Sequence, residues 1–304
     1  MTVETGVSEP PRTSLRPPTA QAGLAALATT ILDLVFPALC PVCDASLGPG
    51  RRDPLCGECW NAIARIEPPY CATCGRPYAT LGAAAIGPSE TGSGAGSSAG
   101  AAEPERASRP VPCWRCAAEP PAYDYARSAA RYEGPLREAL HAFKFSGRRA
   151  LARPLADLLL EQCGGTLPGG IAAVVPVPLA RDREYQRGFN QARLLAERVA
   201  ARLGAPLEPR WLARVRATRP QSDLSAAERR ANVRGAFRAS PAVAGLDVLV
   251  VDDVFTTGAT LAECARALRG RCPPDRRPDS CPRRLSRRII GPEIVPQPPQ
   301  GALP

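Results

Sequence analysis

Two adjacent carboxylates, Asp252 and Asp253, stand just before a turn of small and hydroxylic residues, Thr256, Thr257, Gly258, Ala259 and Thr260, within the string VLVVDDVFTTGATLAECARAL (248–268). Such a turn suits a phosphate. Glycine admits close approach of the backbone, three threonines offer hydroxyl donors, and no acid inside the turn repels an anion. The carboxylates suit whatever lies beside that phosphate, either a vicinal sugar diol or a divalent cation. A second set of chemical residues lies upstream. Eight of the twelve cysteines form four C-x-x-C pairs: Cys40/Cys43, Cys56/Cys59, Cys71/Cys74 and Cys113/Cys116. A two-residue spacer brings two sulfurs from one tight turn onto one tetrahedral ion, so four pairs hold two zinc ions in closed four-thiolate sites. A closed site has no open coordination position and is structural. Disulfides are disfavoured in a reducing cytoplasm, and redox C-x-x-C motifs come singly on a βαβ unit. Iron–sulfur clusters use the same ligands, but the ribbon-like spacings and Gly57 and Gly75 near the ligands favour zinc. Sequential pairing is expected over cross-bracing, because eleven or twelve residues separate the first three pairs and 38 separate the last two.

These residues need elements to position them. Val248 to Val251 is a β-branched run of the kind buried on both faces of a sheet, and Leu261, Ala265 and Leu268 then recur at helical spacing. The turn between is a strand-to-helix crossover at the carboxyl end of a strand, where open α/β sheets bind ligands. The stretch AAVVPVP (172–178) predicts a neighbouring strand. It leads into a basic loop with Arg181, Arg183, Arg187 and Gly188, then a helix with Leu194, Leu195, Val199 and Leu203 on its apolar side. Such a loop beside the acidic strand can receive a pyrophosphate. Ser225 and Glu228 have capping-box spacing and open a short helix that carries Arg229 and Arg230. A P-loop ATPase is excluded, because the only lysine, Lys144, does not follow a glycine. A receiver domain is excluded by position, since its paired acids open the domain. A retained lysine, Lys144, hints weakly at a role that arginine cannot fill, but chance is the stronger explanation for it; the single histidine, His141, lies in the same segment.

With 304 residues, 44% of them hydrophobic, and 35 prolines and 26 glycines, the chain can hold one mid-sized core with appendages. No span reaches the ~20 apolar residues of a membrane helix, so no membrane insertion and a cytoplasmic location are expected. The stretch LAALATTILDLVF (24–36) reads as an amphipathic helix packing on the first cysteine module. The net charge of +10 invites a nucleic-acid partner, but eight arginines against three acids crowd into the last 36 residues and supply half of it. Trp60 and Trp114, beside cysteine ligands, either stack on bases of a single strand or form the small core of a ribbon. The Gly/Ala/Ser tract 82–108 has almost nothing to bury and is expected to be a flexible insert within the second zinc site.

The string 248–268 resembles the phosphoribosyl-pyrophosphate (PRPP) signature of type I phosphoribosyltransferases. The segments LREALHAFKFSGRRALARPLA (136–156), VVPVPLARDREYQRGFNQARLLAERVA (174–200) and TRPQSDLSAAERRANVRGAF (218–237), together with the four C-x-x-C pairs, narrow the resemblance to the ComF family of competence-related proteins. The resemblance runs from about residue 31 to residue 268. It implies an α/β fold, a type I phosphoribosyltransferase-like, mainly parallel sheet (121–268), preceded by a double zinc-ribbon module (21–120) and a disordered N-terminus (1–20). It further implies that Asp252 and Asp253 hold the ribose hydroxyls and that the T-T-G-A-T turn holds the 5′-phosphate. Arg181, Arg183 and Arg187 take the pyrophosphate-loop position, Arg229 and Arg230 lie in a loop that closes over PRPP, and Mg²⁺ comes with the ligand. The role implied is PRPP binding in DNA uptake, with transfer to an unidentified acceptor left open. The alternative is a non-enzymatic adaptor whose ribbon meets single-stranded DNA, a helicase partner or other competence proteins. After Leu268 the resemblance calls for another buried strand, but 269–304 holds nine prolines and no strand-length apolar run, like a frameshift product or a divergent terminus. That tail is expected to be disordered and the sheet to lack its last strand. Zinc removal is expected to unfold 37–120 and leave the α/β domain folded.

Overall fold

The structure, a computed structural model, describes residues 38–48, 53–78, 111–167, 169–219, 224–270 and 287–294. Its strands are β1 (Tyr125–Arg131), β2 (Ala173–Pro176), β3 (Leu212–Arg214), β4 (Phe237–Ala239), β5 (Val248–Val251) and β6 (Arg287–Ile294). Its α-helices are α1 (Gly57–Asn61), α2 (Trp114–Ala118), α3 (Gly134–Phe145), α4 (Ala152–Cys163), α5 (Arg181–Arg187), α6 (Gln191–Leu203), α7 (Ala226–Val233) and α8 (Ala259–Arg269). The main sheet has the order β1-β6-β5-β2 with every pair parallel, and β3 and β4 form a small antiparallel ribbon.

The β-branched runs behave as a sheet covered on both sides requires. Every residue of β2 and β5 is buried. Period-two alternation divides them: Val174, Leu249 and Val251 join one core with Leu155, Leu159, Leu195 and Val199, while Val175, Val248 and Val250 join another with Leu261, Ala265 and Leu268. Each fully buried leucine contributes about 1.5–3 kcal/mol by leaving water. On the first face α4 and α6 pack together, tied by Arg198, whose Nε and Nη2 donate to the two carboxylate oxygens of Asp157 at 3.0 Å. The capping box at Ser225 and Glu228 starts α7 as predicted.

Three expectations are corrected. The sheet does not lack its further strand, because Arg287–Ile294, inside the segment read as a disordered tail, inserts as β6 between β1 and β5. The pairing with β1 runs from Tyr125↔Arg288 to Arg131↔Ile294 and steps over Pro292, which has no N–H to give to a ladder. The basic stretch after β2 is a seven-residue helix, α5, closed by Gly188 in the left-handed conformation (φ 70°). Nor do the ribbons stand apart from the α/β unit. Ile66 N–H donates to Ala129 C=O (2.9 Å), Arg131 N–H to Ala64 C=O (2.8 Å) and Ala126 N–H to Thr73 C=O (2.6 Å), so ribbon segments cover the outer edge of β1. Cys40, Cys56 and Cys59 belong to the first core and Cys71, Cys74 and Cys113 to the second. Among the described residues no helix is long and apolar enough to cross a membrane. The expectations for 1–20, 24–36 and 82–108 lie outside the described residues.

Candidate functional site

The carboxyl ends of β2 and β5 open into a cleft of about 930 Å³. The turn after β5 brings Asp252, Asp253, Thr256, Gly258, Ala259 and Thr260 to its wall. Gly258 is the N-cap of α8 at φ 77°, a left-handed conformation that disfavours any side chain, and a Cβ there would lie 3.0 Å from the Phe255 ring. Thr257 borders a neighbouring hollow instead, and its hydroxyl accepts from Ala259 N–H at 3.3 Å at the start of α8. Of the basic candidates, Arg183 and Arg187 on α5 and Arg229 on α7 line the cleft. Arg181 is exposed and does not line it, and Arg230 lines the neighbouring hollow.

Five cleft residues had no part in the expected site. Lys144, at the end of α3, places Nζ 3.1 Å from Asp253 Oδ2, and both side chains are only 14–15% exposed. Burial pushes the Asp252 carboxyl up to about 8, the neighbouring Asp253 adds to this, and Lys144 opposes it. Burial beside Asp253 thus favours the protonated form of the Asp252 carboxyl, which can donate as well as accept, while Asp253 is paired with Lys144. Gln191, the first residue of α6, is 1% exposed; its Oε1 accepts from Arg187 Nη1 at 3.1 Å and its Nε2 has no partner among the described residues. Burial lowers the Arg187 pKa, with Asp253 opposing, and burial also lowers Arg214, whose Nε is likewise unpartnered. His141 and Phe145 of α3 sit with ring centroids 5.0 Å apart at the same cleft, and the Arg187 guanidinium stands 5.1 Å from the Phe145 ring. The signal for Lys144 lay in its being the chain's only lysine; nothing in the sequence marked Gln191 or Arg214.

The cysteines assemble as sequential pairing requires. Cys40, Cys43, Cys56 and Cys59 form one cluster and Cys71, Cys74, Cys113 and Cys116 the other, with ligand sulfurs within 4.8 Å of one another. Backbone amides point at the sulfurs: Cys59 N–H at Cys56 Sγ (3.4 Å), Cys74 N–H at Cys71 Sγ (3.4 Å) and Cys113 N–H at Cys71 Sγ (3.1 Å). Four convergent thiols with N–H···S support fit a tetrahedral zinc and leave it no open position. Trp60 is partly buried against the first core, as a ribbon core requires, whereas Trp114 is 49% exposed with the Arg115 guanidinium 5.2 Å from its ring.

The family comparisons match this division. Residues 31–89 match the double zinc ribbon domain, and residues 190–274 match the phosphoribosyl transferase domain. The chain is 35% identical over 242 residues to the DNA utilization protein YhgH of Salmonella typhimurium, covering 77% of this chain and 92% of that protein. It is 36% identical over 169 residues to Competence protein F of Haemophilus influenzae (52% of this chain, 72% of that one). It is 32% identical over 143 residues to Competence protein ComFC of Bacillus subtilis (47% and 57%). With two four-cysteine zinc sites set before a phosphoribosyltransferase domain, and with such relatives along most of its length, the chain belongs to the ComF family.

Proposed function

We propose that the cleft binds PRPP, or a closely related phosphorylated ribose, as part of a role in DNA uptake. The observation that carries this reading is the meeting, in one cleft, of the acidic pair and hydroxyl turn from β5 with Arg183, Arg187 and the unpartnered Gln191 Nε2 from the β2 side. The turn and the start of α8 take the 5′-phosphate. Asp252 and Asp253 take the ribose diol, Asp253 as the carboxylate held by Lys144. Arg183, Arg187 and Gln191 take the pyrophosphate, whose oxygens satisfy the buried amide. Arg181 drops out of the pyrophosphate set, and Arg229 is retained over Arg230 as the closing residue. Magnesium, when bound with the ligand, neutralises pyrophosphate charge. Should phosphoribosyl transfer occur here, positioning and charge stabilisation suffice and no protein nucleophile is needed. The aromatic side of the cleft, His141 and Phe145, stands where an acceptor enters. The competence and DNA-utilization names of the relatives support the DNA-uptake setting, and eight reduced thiolates suit the cytoplasm.

A second reading has one observation in its favour. Trp114 is half exposed beside Cys113 and Cys116, in a hollow also lined by Arg115, Arg230, Arg234 and Arg266. Such a surface suits stacked bases of a single strand, as in an adaptor. Calorimetric titration of the zinc-loaded chain with PRPP and Mg²⁺ separates the two. PRPP binding that weakens about ten- to a hundredfold in Asp253→Asn, through loss of a charge-assisted contact, supports the cleft. Absence of PRPP binding in the wild type, with salt-sensitive single-strand binding that persists, favours the adaptor.

A further inference from the structure

We infer that Arg76 of the second zinc ribbon is the positioning residue of the phosphate turn, so that zinc bound on the far side of the turn sets the affinity of the cleft. The inference rests on the reading that this turn holds a phosphate. Arg76 follows the zinc ligand Cys74 by two residues and is 9% exposed, an uncommon location for an arginine. Its backbone is fixed by the cysteine knuckle, because Cys71 N–H donates to Arg76 C=O at 2.8 Å. The knuckle is seated on the sheet. Gly75 has φ 68°, and a Cβ there would lie 2.6 Å from Ala126 C=O, so only glycine lets the turn press against β1. From this anchored position Arg76 Nη2 donates to Thr256 C=O at 2.7 Å, across 180 residues of sequence.

That contact does two things for a phosphate turn. A carbonyl oxygen facing the anion repels it, and the guanidinium holds this one on the ribbon side. Because a trans peptide sets its C=O and N–H on opposite sides, the Thr257 N–H is turned away from the ribbon. A second ribbon-side residue backs the same turn. Tyr123, 5% exposed and shortly after the last zinc ligand, meets Phe255 edge-on at 6.5 Å, and its hydroxyl would lie 3.4 Å from a Cβ at Gly258. The turn is thus supported at Phe255, Thr256 and Gly258 by residues whose positions depend on the second zinc site.

The test uses the full chain with both zinc sites loaded. Arg76→Met keeps the apolar stem and removes the donor, and Arg76→Lys restores one. Zinc content, titration with PRPP and Mg²⁺, and amide hydrogen exchange of 254–260 are measured in each. The expected result is unchanged zinc, PRPP affinity lowered about ten- to a hundredfold in Arg76→Met with partial recovery in Arg76→Lys, and faster exchange confined to the turn. Should Arg76→Met fold poorly, Arg76→Leu, which likewise lacks a donor, takes its place. Unchanged affinity and unchanged exchange in the turn would overturn the inference. If the wild type binds no PRPP, the ligand reading fails instead, and exchange in the turn alone decides whether Arg76 positions it.

Discussion

The two zinc ribbons contain the same four-thiolate chemistry and meet different surroundings. The first, Cys40 to Cys59, leaves Cys43 exposed and packs its other sulfurs among the leucines of α3 and α4, on the face of the sheet away from α8. The second, Cys71 to Cys116, is more deeply buried; it presses on β1 and reaches the turn after β5 through Arg76 and Tyr123. The second also spans the longer gap, 38 residues against twelve within the first. Because closure entropy grows only logarithmically, that difference costs about 1 kcal/mol. The metal chemistry does not decide what a site supports; the contacts of the knuckle do. One ribbon completes a core and the other completes both a core and the turn after β5.

The largest effect expected is a split between ribbons. Cys71→Ser should reduce zinc to one per chain, lower stability by several kcal/mol, since metal binding is folding energy in such modules, and lower PRPP affinity by about a hundredfold or more. Cys43→Ser should also reduce zinc to one but leave PRPP affinity within about threefold of wild type, since among the described residues no hydrogen bond or ion pair links the first ribbon to the turn. Metal analysis and titration of the two variants check this, and equal losses of affinity would remove the distinction. A smaller effect sharpens it. Burial and Asp253 push the Asp252 carboxyl up to about 8 from about 4 when unfolded. A carboxyl raised on folding contributes stability below its unfolded pKa and loses it as pH rises through the folded value. Ligand-free stability should fall between about pH 4 and pH 8. Asp252→Asn should match the wild type only near pH 4 and melt progressively higher as the pH rises toward 8, by roughly 2–4 °C for each kcal/mol the wild type loses. That difference should persist in Cys43→Ser and shrink in Cys71→Ser, where a loosened turn admits water to the carboxyl.

The strands of the sheet were legible in proportion to their local apolar content. Val248 to Val251 reads as a buried strand because four apolar residues in a row leave little alternative, and β2 follows likewise. β6 does not, because RRIIGPEI carries two arginines, a glutamate and a Gly-Pro pair that locally reads as a turn. Its place between β1 and β5 comes from pairing, a tertiary fact with no periodic signal. The site shows the same division. The acidic pair and the threonine turn are contiguous and could be read directly, as could the sequential cysteine pairing, from gap lengths alone. Lys144, Gln191, Arg214 and Arg76 act across the fold, from α3, α6, β3 and the second ribbon, so only the folded chain brings them to the turn. Arg181 errs in the opposite direction: clustered with Arg183 and Arg187 in sequence, it is set apart from them by the helical geometry of α5.

The central claim is that the turn after β5, backed by the second ribbon, is where phosphorylated ribose binds. Amide hydrogen exchange of the zinc-loaded wild type, measured with and without PRPP and Mg²⁺, tests it most directly. The account predicts slowed exchange in two stretches, 252–262 and 186–192, with the amides of the first ribbon, 40–61, unchanged. Slowed exchange confined to the ribbons, or none at ligand concentrations that saturate a calorimetric titration, would contradict it.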